Sequence, residues 1–440
     1  MKHYRAEHGY RTAVVPVRLS GSAYRQAHEA CHEAALLWNS LKDSLWEFWE
    51  VNQRDPKRPE LMAEVSGEFR GLHSHSRQAV FDDLMDAVFT VRSLQKQGLE
   101  AKMPSKDKNY RPLSFTRGYG WRVSKDGQLV LSMGRGNKPI ITRLPEIWDL
   151  DTGEEVPANT WGEIRLCWNK SSRKWSLHIA APKCAPLPKL NPENVMAIDE
   201  GIINPMTVAV ETKDAYEVTV INGRYARNVR RRRNLAVARA QSEKSKTLPG
   251  SKKRKRLERI RRRAEAKAAA SLHNIDHQVS AKVADFAKTH DCGTIVAGDV
   301  RGIEQNTKKW EKKRRRNPKA QRRRLSQWSR GRQERYLSEK TGVPITHINE
   351  AYSSKTCPQC SALNRPSGRR YRCSQCDFIC HRDAVGALNI LQRARFGSYV
   401  PIDTNKPIRV THLRATPISV RRSTGQMRPT TKEEALTLVV

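Results

Sequence analysis

Apolar residues recur along this chain with two different periods, and the change from one to the other marks its parts. Residues 12–18 (TAVVPVR) alternate and predict a strand. After them Tyr24, Ala27, Cys31, Ala34, Trp38, Leu41 and Leu45 fall three or four apart, which makes one stripe of an amphipathic helix. Val80, Leu84, Val88 and Val91 predict a second helix around 76–97. From Arg111 to Ala181 short alternating runs are broken by Gly, Asn and Asp. QLVLSM, KPIITRL, GEIRLCW and KWSLHIA read as strands, the last two joined as a hairpin through NKSSR. A β-barrel interrupted by helices is the simplest architecture for residues 1–181. Residues 182–192 (PKCAPLPKLNP) predict a linker and a domain boundary.

Beyond the linker the runs lengthen. VMAIDEG is a continuously apolar strand ending at Asp199, and MTVAVET and YEVTVIN complete a meander. A long helical region, 224–289, closes on the regular spacing of Leu272, Ile275, Val279, Val283 and Phe286. GTIVAGDV (293–300) predicts a buried strand, 320–341 a helix, VPITHINE (343–350) another strand, and Asp383 opens a helix carrying Ala387, Leu388, Ile390 and Leu391. Three strands, helix, strand, helix, strand, helix is the element order of an RNase H-like sheet, in which polar chemistry collects at the carboxyl ends of neighbouring parallel strands. The tail, 397–440, holds Pro, Thr and Arg without lasting periodicity and is expected to be loosely ordered.

Charge narrows the function class. The 440 residues carry a formal net charge of +37, which argues for a polyanionic partner, nucleic acid before a membrane surface. No long apolar run or signal-peptide pattern appears, so a soluble, intracellular protein without a membrane partner is expected. Residues 230–263 hold 16 Lys/Arg against two Glu, and 308–324 hold eleven against one. A helix so charged repels itself unless phosphates neutralise it. Arg230, Arg231, Arg232, Arg233, Lys252, Lys253, Arg254, Arg314, Arg315 and Arg316 are the candidate nucleic-acid contacts. Trp310, inside the second run, is positioned to stack on a base.

Two CxxC pairs, Cys357/Cys360 and Cys373/Cys376, stand twelve residues apart. Four thiolates at that spacing suit structural, tetrahedral Zn²⁺. Cys380 and His381 are expected outside that shell, because the chain must already be turning into the Asp383 helix. Carboxylates flank this ribbon, Glu350 before it and Asp383 after it. Asp199 and Asp383 are candidate ligands of a two-metal nuclease centre, which needs three or four carboxylates around two Mg²⁺ ions. Glu200, on the opposite strand face, is left out.

IDEGI, GDVRGI, NEAYSSKTCPQC…CSQC and HRDAVGALNI, in this order and at these distances, resemble the RuvC nuclease domain of the transposon-encoded TnpB proteins and of the compact type V CRISPR effectors. The likeness is specific over roughly 195–395 and only architectural over 12–181. It implies a multidomain α+β protein. A wedge-like barrel over 1–181 would carry an inserted helical recognition lobe, about 20–110. The RuvC domain would cover 193–351 and 381–396, with a zinc-ribbon insertion at 352–380. It implies a prokaryotic, cytoplasmic, RNA-guided DNA endonuclease, binding guide RNA, the target duplex and its displaced strand, and reading a short adjacent motif itself.

One position departs from the family pattern. Many members carry Glu on the strand that here reads Ala297-Gly298-Asp299. Two readings follow: a nuclease-inactive, RNA-guided binder that represses transcription, or an active enzyme whose third carboxylate comes from the next strand as Glu350. Glu is long enough to reach across the middle strand, Gly298 leaves the path open, and Asp299, pointing to the other face, caps the loop to Arg301. The expected triad is Asp199, Glu350 and Asp383. A protein that only packs RNA is the third reading, and it gives no role to paired acids in a basic groove.

Overall fold

The chain divides into two units, residues 1–186 and 187–440. The structure, a computed structural model, describes residues 10–416 and 437–439 except 20, 66–67, 150–153, 171–172, 184–186, 302 and 304–317.

In the first unit β1 (Tyr10–Val17) precedes three helices, α1 (Gly21–Asn52), α2 (Arg58–Glu64) and α3 (Ser74–Lys96). Six strands follow: β2 (Leu113–Phe115), β3 (Trp121–Val123), β4 (Gln128–Leu131), β5 (Ile140–Arg143), β6 (Ile164–Asn169) and β7 (Lys174–Pro182). The apolar stripe of α1 buries Leu37, Leu41 and Leu45 in one core with Leu84 and Val88 of α3 and Phe115, Ile164 and Leu177 of the strands. The β6–β7 hairpin pairs Trp168 with Trp175. Among the described residues the ladders form two sheets, β1-β7-β6-β2 and β3-β4-β5, and do not by themselves establish the expected barrel. Strands β2 to β5 are only three or four residues long.

The second unit begins with a meander, β8 (Asn191–Glu200), β9 (Met206–Glu211) and β10 (Tyr216–Asn222). A helical hairpin follows, α4 (Arg224–Ser245) and α5 (Lys252–Thr289), broken by the turn around Pro249. Then come β11 (Cys292–Gly298), α6 (Pro318–Ser326), α7 (Arg330–Thr341) and β12 (Ile345–Ile348). The two short strands β13 (Arg370–Arg372) and β14 (Ile379–His381) pair with each other. The chain continues through α8 (Arg382–Phe396), β15 (Ile408–Arg414) and β16 (Thr437–Val439).

Seven strands form one sheet in the order β12-β11-β8-β9-β10-β15-β16. β12, β11 and β8 run parallel and β9 antiparallel. The expectation of a loosely ordered tail is corrected by β15, which pairs in parallel with β10 over seven residues and buries Ile408 and Val410.

Side chains alternate across this sheet. Met196 and Ile198 of β8 pack on one face against Ile275, Val279 and Val283 of α5 and Leu337 of α7. Ala197 faces the other way, with Val296 of β11 and Ala384, Leu388 and Leu391 of α8. Asp199 therefore falls on the α8 side, and Glu200 on the α5–α7 side.

Candidate active site and metal centre

The cysteine cluster is assembled by local turns. The Ser361 amide donates to the Cys357 carbonyl and the Cys357 amide to Ala362, while the Cys373 amide donates to Phe378. The Sγ atoms of Cys357 and Cys376 lie 3.6 Å apart, as do those of Cys360 and Cys373, and all four sulfurs fall within 4.8 Å of one another. Zn–S bonds of about 2.3 Å place tetrahedral sulfurs about 3.8 Å apart, so the cluster fits zinc. Burial pushes the Cys357 thiol up to about 12. Against its own burial, Cys373 is drawn down to about 6 by the backbone N–H groups of Gln375 and Cys376 and by Asn364. A bound cation would favour the thiolate at all four.

Cys380 and His381 are outside this cluster. Cys380 is buried in the core beside α8, and His381 caps α8 by accepting from the Asp383 amide. The ribbon is fastened to α8 by Asn389, a buried amide that donates to the carbonyls of Ser353 (2.6 Å) and Thr356 (2.8 Å). Sequence reasoning missed Asn389, whose single polar side chain inside an apolar helix stripe was the available signal.

The carboxylates come from three separate elements. Asp199 stands at the end of β8, and Gly386 of α8 comes so close that a Cβ there would lie 2.7 Å from Asp199 Oδ2. Glu350 follows β12 and reaches over β11. A Cβ on Gly298 would lie 2.4 Å from Glu350 Oε2 and 3.0 Å from Ile390 Cδ1. Asp383 sits in the first turn of α8. Its Oδ2 accepts from Asn204 Nδ2 at 2.7 Å, and both its oxygens accept from Arg369 Nη1 at 2.6 Å.

All three acids are half-buried. Burial first, then the charges of Asp383 and Glu350, push Asp199 well above the usual carboxylate range, against Arg382 and Arg369. Burial and then Asp299 push Glu350 up to about 7. The charges of Asp383 and Glu350 both reach Asp199, and Gly298 and Gly386 stand where two side chains would crowd Glu350 and Asp199.

Asp299 is held by Arg301. Its Oδ1 accepts from the Arg301 amide at 2.9 Å, and the Arg301 guanidinium holds its carboxyl down at about 2. Glu200 lies buried on the opposite face, 3.8 Å from Arg330 Nε, pushed up by burial and by Glu334. Asn204, Arg369 and Gly386 were missed from sequence. Only Gly386 carried a signal: a glycine inside a helix costs about 1 kcal/mol against alanine and asks for a reason.

The basic candidates differ in their surroundings. Arg231, Arg232, Lys252 and Lys253 are exposed, and Arg233 is half-buried. Arg230 donates to Ser329 Oγ at 3.4 Å. Arg254 donates to the Thr247 carbonyl across the α4–α5 turn. Arg314, Arg315, Arg316 and Trp310 lie outside the described residues.

Residues 178–304 match the family model described as a probable transposase, OrfB_IS605. Residues 332–390 match the Cas12f1-like TNB domain. Both matches fall largely within the second unit. No curated protein matches the chain in sequence. In three dimensions the fold is similar to Cas12f1 solved as a complex with sgRNA and target DNA, at 15% identity and TM-score 0.55, covering 83% of this chain and 81% of that one. The mini-RNA-guided endonuclease Cas_phi3 aligns at 10% identity and TM-score 0.45, over 90% of this chain and 94% of that one. The TNB-like match spans Glu350, the four clustered cysteines and Asp383. The transposase match spans Asp199 and Gly298. No helix among the described residues is long and apolar enough to cross a membrane.

Proposed function

We propose that this protein is an RNA-guided DNA endonuclease whose RuvC-type centre uses Asp199, Glu350 and Asp383 to hold two Mg²⁺ ions. The observation that carries the reading is the carboxylate of Glu350 lying over Gly298, at the carboxyl ends of the parallel strands β8 and β11. The missing side chain on one strand is thereby matched by a reaching one on the next. Mg²⁺ in such a site supplies the charge that activates water and stabilises the leaving oxygen in phosphodiester hydrolysis.

The residues have separable tasks. Asp199 would serve from the middle of the sheet, Gly386 lets α8 approach it, and Asn204 and Arg369 orient the Asp383 carboxylate by hydrogen bonds. The four clustered cysteines take a structural zinc that keeps the segment between Glu350 and Asp383 at fixed length. The basic helices and the segment 308–324 contact guide RNA and the guide–target heteroduplex. The first unit, with its wedge-like sheets and helices, reads the short motif beside the target and steadies the guide. A prokaryotic cytoplasm supplies both the RNA and the reducing conditions.

The test begins with purification of the full chain and sequencing of the RNA that accompanies it. A DNA duplex matched to that RNA should be cut in Mg²⁺, and Asp199→Ala should abolish cutting. If the unmodified protein binds matched DNA but fails to cut it with Mg²⁺ or Mn²⁺, the transcription-blocking binder replaces the nuclease.

A further inference from the structure

The α5–α7 face of the sheet carries a run of charged side chains that the proposed reaction does not use. Glu200 follows Asp199 and turns to that face, as Met196 and Ile198 do. Its Oε2 stands 3.8 Å from Arg330 Nε, and the same nitrogen stands 3.6 Å from Glu334 Oε1. Glu334 Oε2 in turn stands 3.3 Å from His347 Nε2. The Glu200 side chain is 1% exposed, and those of Arg330, Glu334 and His347 are 17%, 17% and 18% exposed. The four make a largely buried ladder from β8, through α7, to β12.

Each end of the ladder lies close in the chain to a proposed metal ligand. It meets β8 one residue after Asp199 and β12 three residues before Glu350. On β12, Ile345 packs with the α5–α7 core and Ile348 with the α8 core, so His347 shares the face of Ile345. Glu350 lies on the other face, over Gly298 and beside Ile390 of α8. Strand β11 separates β8 from β12, with Ala297 opposite both Ile198 and His347. The last backbone bond along β12 runs from the Asp299 amide to the Ile348 carbonyl at 2.7 Å, two residues short of Glu350. Gly298 has no side chain to hold that end from the α8 face.

The middle of the ladder is anchored in its turn. Arg330, Glu334 and Leu337 are four and three apart, so they share one face of α7, and Leu337 packs against Met196 and Ile198 of the sheet. Beside that face, Arg332 Nε, Gln333 Nε2 and Ser329 Oγ all donate to Asp276 of α5 at 2.7 Å, and the Tyr336 hydroxyl lies 2.7 Å from His273 Nε2. Asp276 is buried, so α7 cannot slide along α5 without stranding a charge. Buried ion pairs stabilise a fold little more than apolar residues of similar volume, and their best-attested use is to fix register.

Resting on the function proposed above, we infer that Arg330, Glu334 and His347 are positioning residues for the relocated carboxylate. From the opposite face of the sheet they fix the end of β12 relative to the end of β8, and with it the place of Glu350 relative to Asp199. A carboxylate on β11 itself would be held by its own ladder bonds to β8. One on the strand beyond needs this second tie.

The experiment titrates the full-length, RNA-loaded protein with Mn²⁺ in the absence of DNA and reads free Mn²⁺ by electron paramagnetic resonance. The sites followed are those that Asp199→Ala removes, which separates them from Mn²⁺ held by the RNA. His347→Leu should weaken these sites about tenfold, while His347→Gln, which keeps a donor for Glu334, should stay within about threefold of the unmodified protein. Glu334→Gln keeps the volume, removes the charge beside Arg330 and should match His347→Leu. Glu339→Gln, exposed on the same helix, should leave Mn²⁺ binding unchanged. In a Glu350→Gln background His347→Leu should cost less than about a further twofold, because the ladder acts through Glu350. Unchanged affinity in both His347→Leu and Glu334→Gln would overturn the inference and leave the carboxylate site standing. Equal weakening with and without the Glu350 carboxylate would also overturn it, as the mark of a sheet loosened in general. If Glu350→Gln alone leaves the Mn²⁺ sites intact, the proposed carboxylate set is wrong, and the ladder loses its role with it.

Discussion

The second unit holds two polar centres built by opposite means. The four sulfurs come from one stretch, with Cys357 and Cys376 only 19 residues apart, and local turns bring them together. The three carboxylates come from positions 199, 350 and 383, and only the β12-β11-β8 order and the packing of α8 bring them together. A centre made by turns survives small changes in the sheet and fails when one ligand is lost. A centre made by topology fails through its neighbours, at glycines that no metal touches.

The largest effect should follow removal of one sulfur. Cys373→Ser should lower bound zinc from about one per chain to near zero. It should also reduce cutting by about a hundredfold or more, because the collapsing ribbon lies between Glu350 and Asp383. Metal analysis of a chelator-free preparation together with the cleavage rate checks this. Zinc retained at full occupancy would break the comparison at its first side.

The next effect tests the second side at a residue without ligand chemistry. Gly386→Ala would stabilise an isolated helix by about 1 kcal/mol, yet its Cβ would lie 2.7 Å from Asp199 Oδ2. We expect cutting to fall about tenfold or more while circular dichroism and zinc content stay as they are.

A smaller effect concerns stability. The Glu350 carboxyl titrates at about 7 in the folded chain against an ordinary 4.5. The stability linked to its proton is therefore full below pH 4.5 and lost as pH rises through 7. At pH 8 in EDTA, Glu350→Gln should melt higher than the unmodified protein, by no more than about 3 kcal/mol. Mg²⁺ should reverse the order. Thermal melts at pH 5 and pH 8, with and without Mg²⁺, read both signs.

The smallest effect should come from the acid nearest in sequence to the vacant strand position. Asp299→Asn should change the cutting rate by less than about threefold, because the Asp299 carboxylate is taken up by Arg301.

The same contrast explains what the sequence made legible. The cysteine spacing named its four ligands without any fold, since turns are local. The element order followed from runs of apolar residues, while the strand order and the relation of Gly298 to Glu350 came from the likeness to RNase H-like sheets and to the RuvC family. Strand β15 was hidden because IRVTHLR spends its polar residues on one face and is too basic to read as a core strand, yet β10 gives it a partner along seven residues. The barrel could not be read from alternation alone, which records that strands exist but not which ones pair. Asn204 and Arg369 were invisible because each reaches Asp383 from a turn or ribbon whose position depends on the completed sheet.

The central claim is that Glu350 has taken the place left by Gly298, and cleavage by two variants measured side by side tests it most directly. With bound RNA, a matched duplex and Mg²⁺, Glu350→Gln and Asp199→Ala should both fall about a hundredfold or more below the unmodified protein. A Glu350→Gln variant that cuts at the unmodified rate while Asp199→Ala is inert would contradict the account.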